Sequence, residues 1–208
     1  MKPKFSTLII LTFVCIALLT PFALSPMYIE VLREDAFDLL QLLQGNLYKQ
    51  ITGFTALAFV FLEMALTLRK RSRGWKIKFS IPGSMQFWRS LHIFAGVGLL
   101  GITLVHTIGA NGLNFNAVFL WVFFFVTLSA LVGVVAETGI VESPQRYFGL
   151  TLAKAGKSED SKQKQPRGIP KGKLIRSLRA LWLTTHIFLV SVFCVMLVIH
   201  IFLAYYYQ

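Results

Sequence analysis

The chain has 208 residues, of which 55% are hydrophobic and only 14% charged, with a mean hydropathy of +0.65 and a formal net charge of +12. That much apolar surface exceeds what a soluble domain of this length buries, which excludes an ordinary soluble enzyme and points to a bilayer protein. Its two cysteines, Cys15 and Cys194, form no CxxC pair and exclude a disulfide framework.

A hydrocarbon core about 30 Å thick needs roughly 20 helical residues per crossing. Five stretches reach that length: 5–25, 50–68, 90–110, 115–136 and 180–206. The expected fold is an all-α membrane protein, one membrane domain over residues 1–208 built as a bundle of five transmembrane helices. The first stretch follows Lys2 and Lys4 and ends near Ala23-Leu24-Ser25, a pattern shared with secretory signals. Its apolar run from Phe5 to Leu24 is long for a signal, so a retained helix is the preferred reading. Residues 29–46 alternate acids with Leu and Phe at helical intervals and predict an amphipathic helix on the membrane surface. The second stretch carries Glu63, the one acid well inside a predicted span. A pairing with Arg69 or Arg71, one to two turns on, is expected for it, with proton or quinone chemistry as the alternative.

Charge assigns the loops. Residues 69–89 contain seven basic side chains and no acid; residues 137–179 contain ten, from Arg146 to Arg179, against Glu137, Glu142, Glu159 and Asp160. Basic loops stay in the cytoplasm, so the N-terminus is expected inside and the C-terminus outside, in a bacterial inner membrane. The positive charge then reads as a topology signal that touches anionic lipid, with no role in binding nucleic acid. The polar stretch 154–173 is expected to be mobile or ordered only by a partner. No Gly-rich phosphate loop follows a strand, so the chemistry belongs to the helices.

The chain has four histidines, set as two pairs with one spacing: 92-HIFAGVGLLGITLVH-106 and 186-HIFLVSVFCVMLVIH-200. Fourteen helical steps fall within about 40° of four whole turns and span about 21 Å, so each pair lies on one face with one histidine near each side of a bilayer. The third and fifth stretches run in the same direction. His92 therefore shares a depth with His186, and His106 with His200. The expectation is two bis-histidine haem sites between helices 3 and 5, with a planar macrocycle held between imidazoles at each level. Gly96, one turn from His92, is expected to make room for the macrocycle, and Arg89 and Arg179 to face its propionates. The ordinary roles of these three are close helix packing and membrane anchoring. At the other end Asn111, Asn114 and Asn116 offer neutral partners.

Two H-x13-H pairs on parallel helices resemble the dihaem transmembrane cytochromes b, and in particular the ferric-reductase-like transmembrane domain. The segments 52-TGFTAL-57 and 89-RSLHIFAG-96 are similar to that family's TG-x-x-AL and R-x-x-H-x-x-x-G patterns, and the likeness covers roughly residues 47–206. The resemblance implies two b-type haems passing electrons across the membrane, commonly from a cytoplasmic flavin domain using NAD(P)H. This chain ends just after its last predicted helix. A flavoprotein, iron–sulfur or cytochrome redox subunit, or quinone, is therefore expected to supply or take the electrons. The chain then acts as an electron-transfer subunit of an oxidoreductase rather than an enzyme alone. Two other expectations compete: a histidine-based metal transporter with binding stations at two depths, and a scaffold that holds haem for assembly. The absence of carboxylates along the histidine seam disfavours the transporter.

Overall fold

The computed structural model describes residues 4–71, 82–109, 113–149 and 168–206, of which 88% are helical. Chain order gives α1 (Phe5–Ala23), α2 (Ser25–Asp35), α3 (Phe37–Gln44), α4 (Asn46–Arg71), α5 (Met85–Thr107) and α6 (Phe115–Glu142). A two-residue antiparallel pair, β1 (Tyr147–Phe148) with β2 (Ile169–Pro170), then leads into α7 (Lys171–Tyr206). Five of these helices, α1, α4, α5, α6 and α7, are long and apolar enough to cross a membrane. The chain is a helical membrane protein.

Local chemistry sets the helix ends. Ser84 and Asn114 cap α5 and α6 by accepting from the backbone N–H groups of Phe87 and Ala117 at 3.1 and 2.9 Å. The last carbonyls of α5, left without partners inside the helix, are met from elsewhere in the fold. Tyr48 donates to Val105 O at 2.8 Å, Lys49 donates to His106 O, and Tyr28 donates to Ile108 O. Burial raises the Tyr28 hydroxyl above the usual tyrosine pKa, which keeps it protonated as a donor. At the foot of α6, Lys171 donates to Val141 O at 2.8 Å and Ser143 O at 2.7 Å, which fastens the start of α7 to the end of α6.

The residues expected at 29–46 form two helices, not one. Pro26, in the first turn, starts α2 directly after α1, and the chain breaks at Ala36 (φ −143°, ψ 49°). The break places Asp38 in the first turn of α3, where a carboxylate complements the helix dipole. α7 begins at Lys171, so residues 171–179, read from the sequence as loop, are helix. Their Lys, Leu and Arg are good helix formers, a property that an apolar-run criterion does not register. The rest of the polar stretch, through 167, lies outside the described residues, as do Arg73, Lys76, Lys78 and Asn111.

Two antiparallel hairpins make the bundle. α4 packs along α5, and α6 along α7, while α1 lies on α6 and α5. Phe22 of α1 meets Phe124 of α6 edge-on, with ring centroids 4.6 Å apart. Within lipid the hydrophobic effect does not draw helices together, so close fit must. Gly98 illustrates it: a Cβ there would stand 2.8 Å from the Phe59 ring. The outer surface is the reverse of a soluble protein's, with Phe13, Phe61, Phe188 and Phe202 each more than 60% exposed. Such a belt is stable against lipid and not against water. α5 and α7 remain apart: no Cα of one lies within 8 Å of a Cα of the other. That gap is the feature on which the site depends.

Candidate functional site: two facing histidine pairs

All four histidines are half-buried and stand at two levels along the α5–α7 gap. The rings of His106 and His200 face each other with centroids 6.3 Å apart and planes at 86°. His92 and His186 stand fourteen residues earlier on the same two helices. His106 and His200 thus face each other across the gap. Between the two levels sit Leu99 and Phe193, both buried. Phe193 continues into a stack with Phe119, whose ring lies 5.3 Å away and in turn contacts His200.

Each imidazole has its own partner, and each partner comes from the same hairpin as its histidine. From α4, Glu63 pairs with Nδ1 of His92 and Thr52 Oγ1 lies 2.9 Å from Nδ1 of His106. From α6, Ser129 Oγ lies 2.9 Å from Nδ1 of His186 and Asn116 Oδ1 lies 3.1 Å from Nδ1 of His200. The direction of these bonds follows from counting protons. Thr52 has one hydroxyl proton, already given to Tyr48 O at 2.7 Å, so its oxygen must accept from His106. Ser129 gives its proton to Val126 O at 2.8 Å and must accept from His186. A carboxylate and an amide oxygen only accept. His106, His186 and His200 thus carry the proton on Nδ1, the tautomer whose Nε2 lone pair can bind a metal, while Nδ1 of His92 makes an ion-pair contact with Glu63.

Small residues and one tryptophan fix the rings. A Cβ on Gly53 would sit 3.2 Å from His106 Cε1, so α4 meets that ring with bare backbone. Trp182, one turn before His186, stacks on its ring at 6.2 Å and 12° and donates Nε1–H to Ser129 O at 2.6 Å. The indole occupies the place where a side chain on Gly133 would be: a Cβ there would stand 1.4 Å from Trp182 Nε1. Gly96 lies beside the gap, and a Cβ on it would have Glu63 Oε1, at 3.9 Å, as its one neighbour within 4 Å.

The other residues singled out in the sequence fall elsewhere or serve differently. Glu63 meets His92 and not Arg69, and the Arg71 side chain lies outside what is described. Arg69 donates to Pro82 O at 3.3 Å and to Gly83 O and lies over the Trp88 ring, so the loop before α5 uses it. Arg179 is engaged with Glu137 of α6, and Arg89 is exposed. Asn114 serves as a helix cap and leaves His200 to Asn116. Thr52, Ser129, Trp182, Gly133, Gly53 and Lys49 were not singled out as part of a site. The signal for them is weak in a sequence, being single polar or small residues inside apolar helices. Among the described residues no group of three or more His, Cys, Asp and Glu side chains converges that could hold a metal ion.

The fold and the site define a class, a helical membrane protein whose two hairpins present facing histidine pairs at two depths. Comparison with protein-family models, with curated proteins and with solved structures gives no match.

Proposed function

We propose that the chain is a dihaem b-type cytochrome subunit that carries electrons across a membrane. The single observation carrying this reading is that the His106 and His200 rings face each other across the α5–α7 gap, each with a polar partner at Nδ1. Two metal–imidazole bonds of about 2 Å, plus roughly 1 Å from each nitrogen to its ring centre, give about 6 Å between centroids. The 6.3 Å separation of His106 and His200 fits that value. A gap that keeps all α5 and α7 Cα atoms more than 8 Å apart suits a flat macrocycle better than a bare ion. Haem, when bound, supplies one-electron chemistry at iron.

The roles of the chain's own residues follow. The four histidines ligate, and Thr52, Glu63, Asn116 and Ser129 hold their tautomer and orientation. Trp182 fixes the plane of His186. Gly96 leaves room for the macrocycle, and exposed Arg89, three residues before His92, is placed to meet a propionate. Leu99 and Phe193 keep water out between the two levels. The basic segments at the His92/His186 end face the cytoplasm on the positive-inside rule. They form a docking surface for an acidic flavoprotein, iron–sulfur or cytochrome subunit, with quinone as the other electron carrier.

Purified protein is expected to show a b-type spectrum with two haems per chain, measured by pyridine haemochrome assay against protein concentration. His92→Ala should remove one of the two and leave the other. A wild-type protein without haem, or a variant with an unchanged spectrum, would overturn the ligand assignment. Gly96→Leu gives a second check. The space beside Gly96 lets the apoprotein fold, while haem content at the His92/His186 level is expected to fall.

A further inference from the structure

The two histidine levels are alike in their imidazoles and unlike in what surrounds them. At the first level, the His92 Nδ1–H is paired with a carboxylate. The other oxygen of Glu63, Oε1, is buried and has no hydrogen-bond partner among the described residues. Neither lysine nor arginine forms an ion pair with Glu63 among the described residues. Arg69 is committed to Pro82 and Gly83, and Arg179 is balanced by Glu137. His186 at this level faces neutral Ser129 and Trp182.

At the second level both acceptors, Thr52 and Asn116, are neutral, and the nearby charge has the opposite sign. Lys49 donates its ammonium to the backbone O of His106, the residue whose ring faces His200. Among the described residues no acid pairs with Lys49. Among the described residues, one level thus contains a carboxylate with no lysine or arginine paired to it and the other an ammonium with no acid paired to it, in a bundle whose low dielectric screens neither strongly.

We propose, building on the haem reading above, that Glu63 and Lys49 are positioning residues that split the redox potentials of the two sites, with the His92/His186 site the lower. The physics has a definite sign. A carboxylate accepting from Nδ1–H makes the imidazole a stronger donor and favours the more positive, oxidised iron, which lowers the potential. An ammonium beside the second site disfavours that extra positive charge and raises the potential. An electron therefore moves downhill from the His92/His186 level to the His106/His200 level. The first centre is oxidised, the second is reduced, and no bond is made or broken. A one-electron donor engages the end of the bundle where α4 gives way to the basic loop. The acceptor engages the end closed by Tyr28, Tyr48 and Lys49.

The test is a redox titration of full-length, haem-loaded protein followed by visible spectroscopy. His106→Ala, which removes the second site, assigns the waves. Wild type is expected to give two waves. Glu63→Gln should raise the lower wave by at least a tenfold change in its equilibrium, about 59 mV for a one-electron couple, and leave the upper wave in place. Glu63→Asp should return the lower wave toward its original position, which a merely structural role would not do. Lys49→Met should lower the upper wave. If Glu63→Gln loses haem, the Lys49→Met result decides alone. Two retained haems whose waves do not move, or move with the opposite sign, would overturn the proposal and leave the haem reading intact. A wild-type protein that purifies without haem would instead overturn the reading on which the proposal rests.

Discussion

Gly133→Leu is expected to strip the cofactor from the His92/His186 site while sparing the His106/His200 site. The Trp182 indole fills the space above Gly133 so completely that even a methyl group would overlap Nε1, at 1.4 Å. Leucine must expel the ring. With it go the stack on His186 and the hydrogen bond to Ser129 O, so the imidazole loses the support of its plane and the backbone beside its Nδ1 acceptor shifts. Overpacking of this kind typically costs about 1–3 kcal/mol. The local effect on a ligand that needs sub-ångström placement is far larger than the effect on the fold. Haem stoichiometry should fall from two to one with helical content by circular dichroism unchanged. Trp182→Phe keeps the stack without the hydrogen bond and should retain both haems. Two haems in Gly133→Leu would show that the indole does not set the site.

The second large effect is expected at Gly109, just past the end of α5. Its φ of +130° lies where L residues rarely go, and a Cβ would stand 2.5 Å from Ser25 Cβ and 2.6 Å from the Tyr28 hydroxyl. Valine there adds backbone strain to a clash with α2, together about 2–5 kcal/mol. The thermal unfolding midpoint should drop by several degrees, and the Tyr28 contact to Ile108 O should be lost. Gly172→Ala is the control, because a Cβ there meets nothing within 4 Å. That substitution should leave stability unchanged or raise it slightly. A Gly109→Val protein as stable as wild type would mean that α2 does not brace the end of α5.

The parts of the molecule legible in the sequence were those written in long apolar runs and in repeated spacing. Five membrane-length helices follow from hydropathy alone, because lipid forces each span to satisfy its backbone internally. The two levels of histidines follow from fourteen residues being close to four turns. Helix ends were less legible: basic residues 171–179 read as loop, yet form the first turns of α7. Acids at 29–46 suggested one surface helix where Pro26 and Asp38 organise two. The partners of the histidines were out of reach for a different reason. Thr52, Ser129 and Asn116 are single polar residues whose meaning depends on which helix packs beside them. Glu63 was visible as a buried acid, but its local arginines were the nearer candidates in sequence, and the loop before α5 claims Arg69. Gly133 carries no signal except its neighbour in space, Trp182, 49 residues away in the chain.

The separation of α5 from α7 has a consequence for how the protein is made. Each hairpin holds one histidine of each level together with its acceptor, and the hairpins meet mainly through α1 and a short stretch of α5 against α6. Each hairpin thus carries its own histidine–partner contacts into the assembly. A ligand that joins an imidazole from each hairpin then acts as a cross-brace, and it does so twice, at levels about 21 Å apart. Binding only to the assembled form stabilises that form in proportion to ligand supply. Cofactor availability would thereby become a checkpoint on assembly, with the unloaded chain left as two loosely tethered hairpins for the membrane's proteases to judge.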